Sequence, residues 1–231
     1  MKDALSDIDE RSRSAWNDSY DLKEAAVLWS AGGVPFAARA AAFASAAGAR
    51  IGLDVPCGDG RNLRPLAQAI PVMIGADSSR RALDIAAATC REQGVRNCVL
   101  LTADVFDTAF ADEQFDFVFC WDVLGHLKNA HDAVRELVRI TRRGGHIIGS
   151  VFAPGDSTRG KDMAHVQGEE YIYRDRFYYR FYTREEAEAL FHDLPVDIVS
   201  VELEVWAEPP HENFREYEHE HQSWAVTVRR R

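Results

Sequence analysis

The stretch LDVPCGDGRN at residues 53–62 decides the fold. Its first residues end an apolar run typical of a strand, and Asp54 closes that run. Gly58 and Gly60 follow, and the helical pattern GRNLRPLAQAI begins at the second of them. Glycines let the backbone approach a ligand, and a helix start offers free N–H groups. The stretch therefore predicts a nucleotide-like ligand at the carboxyl end of a strand.

On the carboxyl side of this stretch, strand and helix patterns alternate. PVMIGAD predicts a strand, and SSRRALDIAAATCREQG predicts a helix capped by Ser78 or Ser79. Strands at NCVLLTAD and FDFVFCWD precede a helix at NAHDAVRELVRITRRGG, which Gly144 and Gly145 should end before a strand at HIIGSVFA. Such alternation indicates right-handed βαβ units and a largely parallel sheet with helices on both faces.

The two ends of the chain differ from this core. Residues 12–47 predict two helices, which carry Trp16, Tyr20, Trp29 and Phe36. Residues 153–182 form an insert rich in aromatic and basic residues. Both segments lie outside the βαβ pattern, and the basic residues that alternate with aromatics in the insert could hold an anionic small molecule.

The C-terminal part predicts a helix and a hairpin. Thr183 and Glu186 open the helix with the spacing of a capping box. VDIVSVELEVW and SWAVTVRR alternate with period two and predict an antiparallel pair at the end of the sheet, joined by the His-rich connection 207–221.

Composition limits the class of protein. The chain has 231 residues, of which 46% are apolar, and this suits one domain. A net charge of −10 disfavours nucleic-acid partners. No run approaches a transmembrane span and no secretion signal is visible, so we expect a soluble cytoplasmic protein. The four cysteines, none in a CxxC spacing, are expected to be reduced thiols.

Two ligand classes compete for the glycine stretch. A dinucleotide needs a third glycine, and Leu63 stands where it would be. Asp59 would also repel a pyrophosphate. A cationic or zwitterionic ligand without phosphate, such as S-adenosylmethionine, fits the stretch better.

LDVPCGDG resembles the first motif of the class I S-adenosylmethionine-dependent methyltransferases. Asp54 takes the acidic position, and Gly58 and Gly60 take the second and third glycine positions. Pro56 replaces the first glycine, whose carbonyl in the family faces the methionine ammonium. Proline keeps that carbonyl, so the contact remains available.

Further motifs follow in family order over residues 50–152: GADSS, TADVFD, FDFVFCWDVLGHL and TRRGGHIIGSVF. The resemblance implies that Asp77 binds the ribose, that Asp104 faces the adenine amino group, and that Val105 or Phe106 lies against the ring. A looser similarity links the chain to tellurite-resistance-type and other small-molecule methyltransferases. The residues that we predict for the cofactor are Asp54, Pro56, Cys57, Gly58, Asp59, Gly60, Asn62, Asp77, Ser78, Asp104, Val105, Phe106, Cys120, Trp121 and Tyr20.

The implied fold is α/β: a Rossmann-like, doubly wound, mostly parallel seven-stranded sheet with a C-terminal antiparallel hairpin and N-terminal lid helices. We divide this single domain into lid helices (1–48), a cofactor-binding core (49–152), an acceptor-side insert (153–182), and a C-terminal helix and hairpin (183–231).

Each acidic residue also has a structural interpretation. Asp54 and Asp77 could cap the helices that follow them, and Asp104 could be a turn residue. Arg61 either reaches the methionine carboxylate or lies on a solvated helix face. Cys57 is interpreted as a small residue chosen for space.

The acceptor site is predicted from the aromatic, basic and histidine residues. His126 lies four residues after Asp122, and this pair is our candidate for catalysis, with loop packing as the alternative for His126. No metal is predicted, although His211, His219 and His221 leave a metal site or a solvated loop open. The residues predicted to bind the acceptor are Trp16, Tyr178, Tyr179, Arg180, His219 and His221.

The predicted function is methyl transfer from S-adenosylmethionine to the O, N or S of a small, aromatic or anionic acceptor by in-line displacement. No Asn/Asp-Pro-Pro-Tyr motif follows the fourth strand, which disfavours base methylation of nucleic acids. No membrane partner is predicted, and a homodimer is left open. The alternatives are a non-catalytic cofactor-binding module of a larger assembly and a nicotinamide-dependent oxidoreductase.

Overall fold

A computed structural model describes residues 2–21, 34–210 and 214–231 of the chain. Trp29, His211 and the 22–33 part of the predicted N-terminal helices lie outside the described residues. In the described part, no helix is long and apolar enough to cross a membrane.

Seven strands form the main sheet, in the order β3–β2–β1–β4–β5–β10–β9. The first five strands along the chain pair in parallel, and β10 pairs antiparallel with both β5 and β9. The predicted mostly parallel sheet with a C-terminal hairpin is therefore confirmed. Its strands are β1 (Ile51–Asp54), β2 (Val72–Asp77), β3 (Cys98–Thr102), β4 (Phe115–Cys120), β5 (Thr141–Phe152), β9 (Val196–Glu208) and β10 (His219–Arg230).

Helices cover both faces of this sheet. On β4, Val118 and Cys120 pack into one apolar cluster, whereas Phe117 and Phe119 pack into a second one. Successive side chains of a strand point to opposite faces, so the two clusters lie on opposite sides. The described helices are α1 (Lys2–Asp21), α2 (Pro35–Ala46), α3 (Leu63–Ala69), α4 (Arg80–Glu92), α5 (Ala130–Ile140) and α6 (Arg184–Ala189), with a short 3₁₀ helix at Leu124–His126.

The end of α5 differs from the prediction. The helix ends at Ile140, and Thr141 has already adopted an extended conformation as the first residue of β5. Thr141 is β-branched and fully buried, which favours a strand, and its hydroxyl donates to the carbonyl of Leu137 at 2.7 Å. Gly144 and Gly145 therefore lie inside β5, where Gly144 has φ of +77° beside a register shift.

The acceptor-side insert forms a second, antiparallel sheet of β6 (Met163–Gln167), β7 (Glu170–Tyr173) and β8 (Phe177–Arg180). Helix α1 packs against β8 and is attached to it by polar contacts. The backbone N–H of Tyr178 donates to Ser12 at 3.3 Å, and Arg176 donates to Asp18 at 2.7 Å. The insert thus holds α1 over the carboxyl ends of the parallel strands.

Thr183 caps α6 as the sequence predicts. Its hydroxyl accepts from the backbone N–H of Glu186, and the Glu186 carboxylate accepts from the N–H of Thr183. Thr183→Ala should lower the free energy of unfolding by about 1 kcal/mol, because one helix N–H loses its acceptor. Urea denaturation measures this difference. Thr183→Ser, which keeps the hydroxyl, is the matched control and should retain most of the stability.

Candidate functional site

A cavity lies at the carboxyl ends of the parallel strands, under α1. The loops after β1, β2, β3 and β4 line one half, and the insert and the β9–β10 hairpin line the other. Of the predicted site residues, the cavity brings together Trp16, Tyr20, Pro56, Cys57, Gly58, Asp59, Asn62, Asp77, Ser78, Asp104, Val105, Phe106, Trp121, Asp122, His126, Tyr179, His219 and His221.

The glycine loop has the backbone that its sequence requires. Gly58 has φ of +53° and Gly60 has φ of +80°, a region that other residues rarely adopt. A Cβ on Gly60 would also lie 3.0 Å from the Cα of Ala86 in α4. The Val55–Pro56 peptide bond is cis. These two glycines let the chain turn sharply between β1 and α3 and leave its backbone facing the cavity.

Asp77 connects this loop to the end of β2. One carboxylate oxygen accepts from the N–H of Gly58 at 2.9 Å, and the other accepts from the N–H of Ser79 at 2.8 Å. The carboxylate is 6% exposed, and burial raises its pKa to about 6 despite these hydrogen bonds. Ser79, one of the two predicted caps, caps α4.

Two more acidic residues surround the loop. Asp54 is buried beneath it, and one of its carboxylate oxygens has no hydrogen-bond partner among the described residues. Burial, with Asp77 and Asp59 nearby, raises the pKa of Asp54 well above its usual range. Asp59 lines the cavity and accepts from Arg61 at 3.2 Å. A cationic ligand would relieve the repulsion within this group of carboxylates.

Helix α1 closes this half of the cavity. Arg13 forms an ion pair with Asp104, the predicted adenine contact, and the second oxygen of Asp104 accepts from the N–H of Phe106 at 3.0 Å. Tyr20 reaches the glycine loop, since its hydroxyl lies 2.8 Å from the position of a Cβ on Gly58. Burial and the nearby Asp77 raise the pKa of Tyr20.

An aromatic wall joins the two halves. Trp121 stacks on Phe36 with ring centroids 4.7 Å apart, and on Phe119 at 5.6 Å. Trp206, from β9, continues the wall at 6.1 Å from Trp121. Asn62 fixes the start of α2 nearby, because its side-chain oxygen accepts from the N–H of Val34 at 3.0 Å.

His126 lies inside an aromatic cage in the other half. Its ring meets Trp16 at 4.7 Å, Phe152 at 4.9 Å and Tyr179 at 4.4 Å. Its Nδ1 lies 2.9 Å from the carbonyl of Tyr178, which can only accept, so Nδ1 carries the proton. Burial lowers the pKa of His126 to about 3. The ring is therefore neutral near pH 7, and its Nε2 is an acceptor.

Asp122 lies beside this cage. It has φ of +57°, and its backbone N–H donates to the Ser150 hydroxyl at 2.8 Å. One oxygen of its carboxylate is buried without a hydrogen-bond partner in the described part of the chain. Burial raises the pKa of Asp122 to about 7, while His221 and Arg61 oppose the shift.

Arg215 is a cavity residue that the sequence analysis missed. It is 3% exposed, and its guanidinium carbon lies 5.2 Å from the ring centroid of Tyr173 and 5.3 Å from that of Tyr179. Its Nε and Nη2 have no hydrogen-bond partner among the described residues. The only sequence signal was a basic residue beside an aromatic one, within a connection interpreted as polar.

Several other predicted residues lie off the cavity surface. Tyr178 is fully buried elsewhere, 5.7 Å from the Lys128 ammonium, and Arg180 pairs with Glu186 at 3.1 Å. Both leave the lining because alternate residues of a strand face opposite ways, and Tyr179 takes the inward position. Asp54, Gly60 and Cys120 support the lining from behind. Lining residues that the analysis did not select include Arg13, Phe152, Trp206, Glu208, Phe214 and Arg215.

Residues 53–149 match the family described as "Methyltransferase domain". An uncharacterized methyltransferase of Bacillus subtilis is 24% identical over 115 residues, which is 49% of this chain and 46% of that protein. A ubiquinone biosynthesis O-methyltransferase of Azoarcus is 32% identical over 100 residues, 43% of each chain. The chain thus spans less than half the length of these curated relatives.

Solved structures share the fold over more of the chain. A Burkholderia thailandensis 1,6-didemethyltoxoflavin-N1-methyltransferase, with 1,6-didemethyltoxoflavin and S-adenosylhomocysteine bound, superposes with a TM-score of 0.70. The match covers 98% of this chain and 90% of that one at 17% identity. The Bacillus subtilis YcgJ protein gives 0.61, covering 84% and 98% at 16% identity. Identities this low show a shared fold.

The raised pKa of Asp77 predicts a pH-dependent stability. The pKa of Asp77 in the folded chain, about 6, exceeds its value in the unfolded chain. The contribution of this carboxyl to the stability is therefore complete below about pH 4 and is lost as the pH rises through 6. The loss for two pKa units is about 3 kcal/mol. The free energy of unfolding, measured by urea denaturation, should fall between pH 4 and 7 in the wild type relative to Asp77→Asn. Above pH 7 the two curves of unfolding free energy against pH should run parallel. Parallel curves throughout would mean that Asp77 has an ordinary pKa.

Proposed function

We propose that this chain, a member of the class I S-adenosylmethionine-dependent methyltransferases, transfers the methyl group of S-adenosylmethionine to a small anionic acceptor. One observation carries the proposal: a single cavity is lined both by the glycine loop with Asp77 and Asp104 and by the buried guanidinium of Arg215. The first set suits a nucleoside cofactor without phosphate, and the second suits an anion.

The residues of the β1–β3 loops fit the cofactor. Asp77 can accept from ribose hydroxyls with its remaining lone pairs, and Val105 and Phe106 offer apolar surface to an adenine. The buried carboxylates at Asp54, Asp59 and Asp77 favour a cation, and the ligand carries a sulfonium and an ammonium. When bound, the cofactor supplies an activated methyl group.

The protein's contribution is positioning and exclusion of water. Helix α1 lies across the cavity, which its residues Trp16 and Tyr20 line, and contacts between α1 and β8 hold the helix there. We propose that α1 acts as a lid, which fits the division of the chain into lid, core, insert and hairpin. Release of the cofactor product from the cavity would then require that Arg13 separate from Asp104.

Arg215 supports an anionic acceptor. A buried charge is costly unless it is paired, and two of its nitrogens lack a partner among the described residues. A carboxylate or phenolate of the acceptor would fill that role with charge-assisted hydrogen bonds. The surrounding rings of Tyr179 and Phe214 give an aromatic acceptor apolar surface.

The acceptor atom is left open. The Azoarcus relative is named an O-methyltransferase and the Burkholderia protein an N1-methyltransferase, so this fold is used by proteins named for different acceptor atoms. A panel of phenols, carboxylic acids, thiols and amines with radiolabelled cofactor would identify it. Cofactor binding without transfer to any acceptor would favour the non-catalytic module, and binding of NAD would favour an oxidoreductase.

Cofactor binding should depend on Asp77. Asp77→Ala should weaken the affinity for S-adenosylhomocysteine by about 1.5–3 kcal/mol, the scale of a lost hydrogen bond to a charged group. Isothermal titration calorimetry measures this, with NAD as the ligand that should not bind. Asp84→Ala, an acid on α4 outside the cavity lining, is the control. Wild-type affinity in Asp77→Ala would remove Asp77 from the site.

Acceptor binding should depend on Arg215. Arg215→Met should raise the acceptor KM at least about tenfold, since a charged hydrogen bond is lost. Arg180→Met, outside the cavity, is the matched control and should leave KM unchanged. Thermal denaturation should find Arg215→Met folded, because the change removes a buried charge without breaking a hydrogen-bonded ion pair. An unaltered KM in Arg215→Met would contradict the anionic acceptor.

His126 should position the acceptor without acting as a titrating base. Its pKa of about 3 keeps the ring neutral, so it cannot store the acceptor's proton near neutral pH. His126→Phe, which keeps an aromatic ring in the cage, should lower kcat by a similar factor at every pH from 6 to 9. A loss confined to one side of a pKa near 6.5 would instead assign general-base catalysis to His126.

A further inference from the structure

Three potential metal ligands meet at the open end of the β9–β10 hairpin. Glu208 ends β9 opposite His219, the first residue of β10, and His221 follows on the same side of the strand. One ligand atom from each of the three residues lies within 4.8 Å of the others. All three line the cavity, and both histidines are buried.

Hydrogen bonds fix the protonation of both rings. The Nδ1–H of His219 donates to the carbonyl of Tyr217 at 3.0 Å, and the Nδ1–H of His221 donates to the carboxylate of Asp156 at 2.9 Å. With Nδ1 directed at these acceptors, Nε2 carries the lone pair in the neutral form of each ring. Donation from the far nitrogen to a carbonyl or carboxylate is the usual arrangement for histidines that bind metals.

Asp156 is itself held firmly. Its carboxylate accepts from the Thr158 hydroxyl at 2.5 Å, from the N–H of Thr158 at 2.8 Å and from the N–H of Gln222 at 3.1 Å. The carboxylate is fully buried. His221 is therefore oriented by a residue that cannot easily turn away.

The spacing suits ligands of one ion better than a direct ion pair. The Nε2 atoms of His219 and His221 each lie 3.7 Å from the Glu208 carboxylate. A hydrogen bond would bring these atoms to about 2.7–3.2 Å. Ligand bonds of about 2.0–2.2 Å at a tetrahedral angle place two ligand atoms about 3.4 Å apart. Small side-chain movements would complete such a site.

We propose that Glu208, His219 and His221 bind a divalent transition-metal ion. Two imidazoles and a carboxylate suit Zn²⁺, Co²⁺, Fe²⁺ or Mn²⁺ better than Mg²⁺ or Ca²⁺, which prefer oxygen ligands alone. Glu208 supplies negative charge directly. Asp156, which accepts from His221, adds a second carboxylate beside the site. The sequence analysis predicted no metal and placed His219 and His221 in the acceptor site, so the proposed ion is an addition to that prediction.

Three protein ligands leave coordination positions that face the cavity. If the proposed function holds, on which this step rests, the acceptor's hydroxyl or thiol can fill one of them. Coordination lowers the pKa of the donor atom; its X–H bond breaks, the proton goes to solvent and the electron pair stays on the donor. This would activate the acceptor where His126, with its low pKa, does not.

Co²⁺ titration of the chelator-treated full chain tests the site, because Co²⁺ bound to nitrogen ligands absorbs visible light. The wild type should bind one ion per chain and lose the absorption on adding Zn²⁺. His219→Ala, His221→Ala and Glu208→Gln should each weaken Co²⁺ binding at least about 100-fold. His192→Ala, an exposed histidine off the cavity, is the matched control and should bind like wild type.

Asp156→Asn separates orientation of His221 from loss of a ligand. It should weaken Co²⁺ binding about 10–100-fold, the scale for a residue that orients a metal-binding histidine. Absence of saturable Co²⁺ absorption in the wild type, or equal affinity in His219→Ala, His221→Ala and wild type, would overturn the metal site. Calorimetry with S-adenosylhomocysteine on the metal-free chain tests the proposed function separately. If S-adenosylhomocysteine binds but the chain has no Co²⁺ site, the metal proposal alone is overturned. If Co²⁺ binds but S-adenosylhomocysteine does not, the proposed function alone is overturned.

Discussion

The carboxylate of Asp77 is the contact on which the half of the cavity around the glycine loop depends. It accepts one hydrogen bond from the glycine loop and one from the start of α4, so it joins the ends of two neighbouring strands. The positive φ of Gly58 allows the loop N–H to approach this carboxylate. Parallel strands bring their carboxyl ends to one edge, and this contact organises that edge.

The same edge concentrates negative charge away from water. Asp54, Asp59 and Asp77 lie together, and each is buried. Burial, and then the repulsion from neighbouring carboxylates, raise the pKa of Asp54 and of Asp77. A site arranged in this way discriminates by charge, since it disfavours a pyrophosphate and favours a sulfonium or an ammonium.

The other half of the cavity, around His126 and Arg215, is assembled differently, from segments far apart in sequence. Helix α1 supplies Trp16, the insert supplies Tyr179, and the hairpin supplies Arg215 and the two histidines. Some of its polar groups reach their partners across long sequence separations, as His221 does with Asp156. This half of the cavity therefore depends on how the N-terminal helix, the insert and the hairpin pack together.

The sequence by itself determined the order and type of the core elements, the hairpin, the capping box of Thr183 and most of the residues that line the cavity around the glycine loop. These follow from period, from glycines that need positive φ, and from acids at strand ends, all of which are local signals. It did not predict the early end of α5, where burial of Thr141 decides. Only the tertiary structure decided that Tyr179 faces the cavity while Tyr178 and Arg180 do not, that Arg215 is buried, and that Glu208 meets His219 and His221. Each of these depends on the register and packing of segments distant in sequence, which no local pattern encodes.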